Sequence, residues 1–475
     1  MKFSVGYNYD SGMFAFLKKH KNAIEAFYFP IPQGYGGSGR HRNEPPLYPK
    51  QIPALLKTCR TLGIKSQLLF NATCEGRHGF RKSVFNNVAA YIQELKDQGL
   101  DAVVLANPVY MSALKKKMPD LIIESSVNCY VRSVEHAMHL RDMGVDVVTV
   151  DRDINRDIDL IKKIKHATGL KIRLMLNEGC LGHCPYRVSH YNYISHKGIP
   201  RASCMEGVFL DAFCISLYVK NPLKVFRIPF VPPEALSYYK GCADFYKLST
   251  RVFTTQRIAA CLDAYRKEYF NGNLLDILDC PGLSFFDYID YAVLKKNKFF
   301  EKMQKCDMPC NGCRYCGDLF RQAVVIKTKY LKENTETEQR RTIRIFMNAL
   351  KRPLDNDTRL QAFLRIGQAY VALRNFKDAI RFISKSLPLR YRGDAGYSLV
   401  EPFSMKAGAN EKTIKAQRYF LLGICYQALG YYIKAIRFLR KAEASSAGEG
   451  SIKTRLVECI HAFGNRERMR RLKGH

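Results

Sequence analysis

No stretch of the 475-residue chain approaches the roughly 20 consecutive apolar residues that a membrane-spanning helix needs. The opening residues, MKFSVGYNYD, alternate like a strand and lack the apolar core of an export signal. Both absences lead to the expectation of a cytoplasmic protein with no membrane span. Hydrolase signatures are missing too: there is no HExxH helix, no G-x-S-x-G turn and no convincing cysteine–histidine pair. Peptide hydrolysis is therefore the weaker expectation. Acidic residues are scarce, 43 Asp and Glu against 76 Lys and Arg, for a net charge of +33. That imbalance favours a polyanionic partner, RNA above all, or an anionic substrate or surface. The excess forms no arginine-rich tract: residues 391–475 carry 16 basic and 7 acidic side chains, close to the chain average.

Cysteine is the residue in surplus. Sixteen are present, and a reducing compartment argues against disulfides. Several are clustered too closely to pair across a fold, so thiolate ligation of a metal explains them better. The scattered ones, Cys59, Cys129, Cys261, Cys425 and Cys459, sit in apolar helix or strand patterns and read as small buried hydrophobes. A hydrophobic content of 47% is that of a globular protein, and the length calls for two or three domains.

The first 270 residues alternate short apolar runs with amphipathic stretches. Strands are expected at Lys2–Tyr7, Ala26–Phe29, Lys65–Asn71, Ala102–Ala106, Leu121–Ser126, Val145–Val150 and Lys171–Leu176, with an eighth at Val225–Phe230 or Phe245–Leu248. Helices are expected at Pro49–Leu62, Asn86–Gln98, Val134–Met143 and Asp157–Ala167. Strands this short and this rich in Val, Ile and Leu are buried on both faces. The fold class that follows is α/β: a (β/α)8 TIM-like barrel over residues 1–270, then a cysteine-rich helical linker over 271–345 and an all-α tetratricopeptide-like domain over 346–475. The linker stretch Ser284–Lys305 reads as helical. In the tail, Phe363, Ile366, Gly367, Tyr370, Ala379 and Ile383 fit one helix pair. Tyr419, Leu422, Gly423, Tyr426, Ala435, Leu439 and Ala442 fit a second. The glycine of each first helix lets the second helix approach, and the aromatic fills the gap beside it. An insertion, Tyr391–Lys412, separates the pairs, and Ser451–Leu472 reads as a basic capping helix.

Barrels of this kind carry function on the loops after their strands. Here those loops hold Gly34-Tyr35-Gly36-Gly37-Ser38-Gly39-Arg40, Asn71, Asn107, Asn128, Asp151-Arg152 and Asn177-Glu178. The glycine loop can wrap an anionic group but lacks the lysine of a P-loop. A ring of amides, carboxylates and arginines suits a polar, planar ligand, although any single Asn could simply cap a helix. After the seventh strand come Cys180 and Cys184, then Cys204 and Cys242. Four thiolates drawn from separate loops suit a [4Fe–4S] cluster, whereas a structural zinc would more often use paired C-x2-C knuckles. Cys214 is the substitute should one of the four fail. A second constellation, Cys306, Cys310, Cys313 and Cys316, packs four thiols into eleven residues. Its spacing suits a second cluster, with zinc as the alternative.

The barrel units, the Gly36-Gly37…Arg40 loop, Ser125-Ser126-Val127-Asn128, Asp151-Arg152, the four spaced cysteines and Lys247-Leu-Ser-Thr-Arg251 together resemble the peptidase U32 ("collagenase-like") family over roughly residues 1–270. The resemblance implies an iron–sulfur protein of oxygen-independent hydroxylation, acting on an RNA base or an aromatic small molecule, with a prephenate-like co-substrate in some members. It implies Arg40, Arg152, Lys247 and Arg251 as binders of an anionic group, and Asn128 and Glu178 as the residues orienting the substrate. Two clusters would further imply an electron donor. The family's usual Glu-x-Phe-x-x-Gly-x-x-Cys entry is reduced here to Asn177-Glu178-Gly179-Cys180, which marks a divergent branch. Two other readings remain: a metal-stapled adaptor that recruits protein partners through its tail, and a hydrolase.

Overall fold

The computed structural model describes residues 1–32, 47–75, 81–196, 210–279, 281–308, 310–327, 336–389, 411–445 and 450–473. The chain forms two compact units. The first comprises residues 1–270, 277–284 and 298–313; the second comprises 271–276, 285–297 and 314–475. The stretch expected as a separate linker is thus divided between them.

Eight parallel strands close the first unit into a barrel in sequence order. They are β1 (Phe3–Gly6), β2 (Ile24–Pro30), β3 (Lys65–Phe70), β4 (Ala102–Leu105), β5 (Ile122–Ser125), β6 (Val147–Thr149), β7 (Lys171–Met175) and β8 (Phe245–Lys247). Phe3 opposite Tyr246 closes the ring. Of the two segments proposed for the eighth strand, Phe245 onward is the strand, while Pro222–Arg227 is a 3-10 segment capped by Asn221. A proline at its start and an Asn side chain accepting from Leu223 N favour that turn over an extended ladder. The helices follow from local sequence. Ile52–Leu62 buries Ile52, Leu55, Leu56 and Cys59 on one stripe and stops at Gly63, whose φ of 65° suits the residue without a Cβ. Asn107 accepts from Val109 N at the start of Pro108–Lys117, so this member of the polar ring caps a helix.

A polar belt crosses the barrel interior. Arg173 of β7 pairs with Glu124 of β5 at 2.9 Å and Glu25 of β2 at 3.1 Å. Gln67 of β3 and Thr149 of β6 donate to the two oxygens of Glu124 at 3.1 and 2.9 Å. Burial opposes the charge of Arg173, but the two carboxylates outweigh it and raise its pKa.

Ser284–Lys305 is not helical throughout: in the second unit β9 (Phe286–Ile289) runs antiparallel to β10 (Val324–Ile326). All four residues of β9 are buried, Phe286 and Tyr288 on one face and Asp287 and Ile289 on the other, so both faces of this strand are covered. Arg365 pairs with Asp287 at 2.5 Å, and Arg352 pairs with Asp290. The helix pairs expected in the tail are Asn356–Ala372 with Phe376–Ser386, and Glu411–Ala428 with Tyr432–Ser445. A Cβ on Gly423 would lie 2.7 Å from Leu439, and one on Gly367 would collide with Ile383. Tyr370 stacks on Phe382 at 5.7 Å and Tyr426 on Phe438 at 5.4 Å. The insertion falls outside the described residues except for its last two positions, which open the helix Glu411–Ala428. The final helix is Gly450–Lys473.

Candidate active site

The carboxyl ends of the strands frame a cleft of about 420 Å³, its open mouth included. Tyr28, Leu69 and Met175 lend it apolar wall, while Asn71, Asn128, Glu178, Lys247, Ser249 and Arg251 supply polar groups. Six side chains singled out in the sequence therefore meet here: Asn71, Asn128, Glu178, Lys247 and Arg251 line the cleft, and Arg152 joins them through Glu178. The guanidinium of Arg152 donates to Glu178 Oε1 at 2.7 Å, to Tyr191 OH at 3.0 Å and to Asn128 Oδ1 at 3.3 Å. Tyr191 OH donates to the same Glu178 oxygen at 2.7 Å. The other oxygen, Oε2, is buried with no hydrogen-bond partner among the described residues. Burial disfavours the Arg152 charge, yet the adjoining Glu178 outweighs it and holds the group firmly protonated.

On the opposite wall, Lys247 Nζ lies 4.3 Å from the centre of the Tyr28 ring. Tyr28 is held by its hydroxyl, which donates to Leu248 O at 2.6 Å. Gly6 makes room for this wall: a Cβ there would lie 2.5 Å from Arg251 Cγ and 2.6 Å from the Tyr28 ring. Asn177 has a different task. Its amide bridges Ser249 O at 3.1 Å and Ile277 O at 2.9 Å, so it knits loops rather than facing ligand. Arg40 lies outside the described residues.

The Cys180–Cys184 loop leaves this rim and is pinned at every turn. Gly179 N donates to Asp279 O at 3.1 Å, Gly182 N to Arg227 O at 3.1 Å and His183 N to Asp153 Oδ1 at 3.0 Å. Arg187 grips Asp153 through both carboxylate oxygens, at 2.6 and 2.8 Å, and donates to Leu181 O at 2.5 Å. Burial would raise the Asp153 pKa, but Arg187 overrides it and keeps the group below the usual carboxylate range. His183 is mostly exposed and faces Asp153 at 3.6 Å. Burial pushes the Cys180 thiol up; Arg187 and Arg152 pull it down, while Glu178 and Cys184 add to the rise. Cys180 is thus within electrostatic reach of the cleft network and of its sister thiol.

Cys242 is a correction to the expected ligand set. It precedes β8, and Asp244 two residues later ties to Ile172 N at the start of β7 and to Lys165 at 2.9 Å. In a parallel barrel that is the amino end of the strands, opposite the rim that bears Cys180. The sequence misled because Cys242 is close to β8 along the chain, on the wrong side of it. Cys204 lies outside the described residues. Cys214 sits on the helix Leu210–Lys220, whose exit through Pro222–Arg227 returns to the rim where Arg227 O meets Gly182 N. Among the described residues no three His, Cys, Asp or Glu side chains converge on a metal-sized point. The thiol pair and flanking arginines suit an anionic thiolate centre, which needs further thiols to close. In the second constellation Cys310 and Cys313 are exposed and Cys306 is partly so, which leaves those three thiols out of the hydrophobic core. Left-handed φ values of 67° at Met308 and 83° at Gly312 curl the chain between Cys306 and Cys313.

Residues 18–205 match the family model described as Peptidase family U32. Over those residues the barrel is similar to peptidase family U32. An "uncharacterized protease" of Methanocaldococcus jannaschii is 28% identical over 313 residues, 65% of this chain and 92% of that protein. A 23S rRNA 5-hydroxycytidine C2501 synthase of Escherichia coli is 28% identical over 113 residues, 24% of this chain and 16% of that enzyme. A solved U32 peptidase structure aligns with a TM-score of 0.36 and 19% identity, covering 44% of this chain and 85% of that one. Residues 416–447 match a tetratricopeptide repeat model, which falls on the second helix pair of the tail.

Sequence reading missed Tyr191 and Tyr28 in the cleft. Tyr191 lies on Arg187–His196, a helix with no amphipathic stripe to single it out. Tyr28 sits in the apolar run Ala26–Phe29 of β2 and looks like any core aromatic.

Proposed function

We propose that this U32-like chain is an iron–sulfur enzyme that hydroxylates a planar substrate, an RNA base first and an aromatic small molecule second, without molecular oxygen. The observation that carries this reading is the pinning of the Cys180–Cys184 loop beside the Arg152–Glu178 pair at the cleft. Cys180, Cys184 and Cys204 would hold a [4Fe–4S] cluster, with Cys214 in place of Cys242 as the fourth ligand. Cys306, Cys310, Cys313 and Cys316 would hold a second cluster, with zinc as the alternative. When bound, the cluster at the rim supplies one-electron chemistry next to the cleft. The chain's own residues do the rest. Lys247 and Arg251 bind the anionic group of substrate or co-substrate. Asn128 and Glu178 Oε2 address the polar edge of the ring, and Arg152 with Tyr191 fixes Glu178 in one orientation. The similarity to an rRNA hydroxycytidine synthase and the net charge of +33 support RNA as the substrate class.

Hydrolysis is less well supported: among the described residues no histidine lines the cleft, and of its two serine hydroxyls Ser249 donates to Asp279 while Ser126 accepts from Asn128 N. The test is anaerobic purification with iron, zinc and sulfide analysis, beside mass spectrometry of nucleosides from co-purified RNA. About eight irons per chain are expected, falling by half in a Cys180→Ala/Cys184→Ala variant and unchanged in Cys242→Ala. Zinc alone in wild type would end the redox reading.

A further inference from the structure

Arg227 stands between the two cysteine constellations. Its carbonyl accepts the Gly182 N–H within the Cys180–Cys184 loop at 3.1 Å, and its guanidinium Nη2 donates to Cys310 Sγ at 3.2 Å. The approach to Gly182 is close enough that a Cβ there would lie 2.5 Å from the same carbonyl oxygen. The chain leading into the second constellation is clamped to the same rim. Phe299, which opens the helix Phe299–Gln304, is 3% exposed and packs on Phe226 at 5.7 Å and Phe230 at 6.1 Å. The Arg156 guanidinium lies 5.3 Å from the centre of the Phe299 ring and donates to the carbonyls of Phe226 and Ile228. One residue thus touches both loops, and an aromatic anchor keeps the second loop from drifting away.

We propose that Arg227 is a positioning residue that docks the Cys306–Cys313 loop on the Cys180–Cys184 loop and so couples two thiolate centres across a single side chain. An arginine suits the task. Its backbone carbonyl serves one loop while its fork, always charged, offers a donor to a thiolate or to cluster sulfur of the other. A cation held between two anionic centres also lowers their mutual repulsion, which would otherwise drive them apart.

The proposal rests on the reading of both constellations as iron–sulfur sites, so the experiment has an arm that needs no iron. In the iron arm, fully reduced wild type is compared by EPR with Arg227→Ala, Arg227→Lys and Gly182→Ala. Wild type is expected to show broadening from spin coupling between two clusters. Arg227→Ala and Gly182→Ala should keep wild-type iron yet give two independent signals, and Arg227→Lys should restore part of the coupling. Undiminished coupling in Arg227→Ala with full iron would overturn the proposal. In the other arm, metal-free protein is treated with a bis-maleimide, and the Cys184–Cys310 cross-link is quantified by mass spectrometry. A several-fold lower yield in Arg227→Ala supports docking by Arg227, and an unchanged yield overturns it. Absence of iron from wild type counts against the function proposed above, and the cross-linking arm then decides the docking alone.

Discussion

At the level of single residues, the Arg152–Glu178 pair is the feature with most at stake. Both side chains are almost fully buried, at 1% and 3% exposure. Removing one partner leaves the other charged in the interior, so Arg152→Ala should cost about 3–5 kcal/mol in urea unfolding. Glu178→Gln keeps the shape and an acceptor oxygen but removes the main counter-charge of buried Arg152, so it should lose part of that stability and abolish product in the nucleoside assay. Glu75, after β3, offers a pH-dependent test. Burial pushes its carboxyl up to about 7 from an ordinary 4.5. Between those values the folded chain keeps a proton that the unfolded chain releases, so stability falls as pH rises through that window. Wild type should therefore lose stability relative to Glu75→Gln between about pH 5 and pH 8 in denaturant titrations. Parallel curves would show that the carboxyl titrates normally. Four of the five scattered cysteines behave as the sequence suggests: Cys59, Cys261, Cys425 and Cys459 are buried, Cys129 is only partly so, and burial lifts the thiols of Cys59, Cys261 and Cys425 to about 12.

Secondary-structure elements were the most legible level. The barrel strands are short and largely buried, rich in Val, Ile or Leu from β3 to β7 and in aromatics in β2 and β8, and that composition separates them from the amphipathic helices around them. The tail was legible because Gly367 and Gly423 each stand where an approaching helix leaves no room for a side chain. Gly423→Ala gains up to about 1 kcal/mol of helix propensity. Against that, forcing a methyl to within 2.7 Å of Leu439 costs about 1–3 kcal/mol. A net loss of up to about 2 kcal/mol and a lower thermal midpoint are expected, whereas a rise would mean that Leu439 simply turns aside. What could not be read were the places where elements meet out of sequence. Tyr28 acquires its role only because Lys247 comes round from β8 to lie over its ring. Cys242 lost its expected role because spacing along a chain does not say which end of a strand a residue occupies.

For the molecule as a whole, the net charge of +33 predicts RNA binding dominated by phosphate contacts. Affinity for a ribosomal RNA fragment should fall steeply between 50 and 200 mM salt, by on the order of a thousandfold if six or more phosphates are engaged. A flat salt dependence would shift the balance to a small aromatic substrate. The polar belt inside the barrel bears on how reliably this molecule assembles. Side chains alternate between the two faces of a strand, so sliding β7 by one position would swing Arg173 out of the interior. Glu25 and Glu124 would then be stranded without a cation, a fault worth several kcal/mol. The belt therefore acts as a proofreading device during folding: a barrel closed one residue out of step is rejected before its rim can assemble a false copy of the cleft.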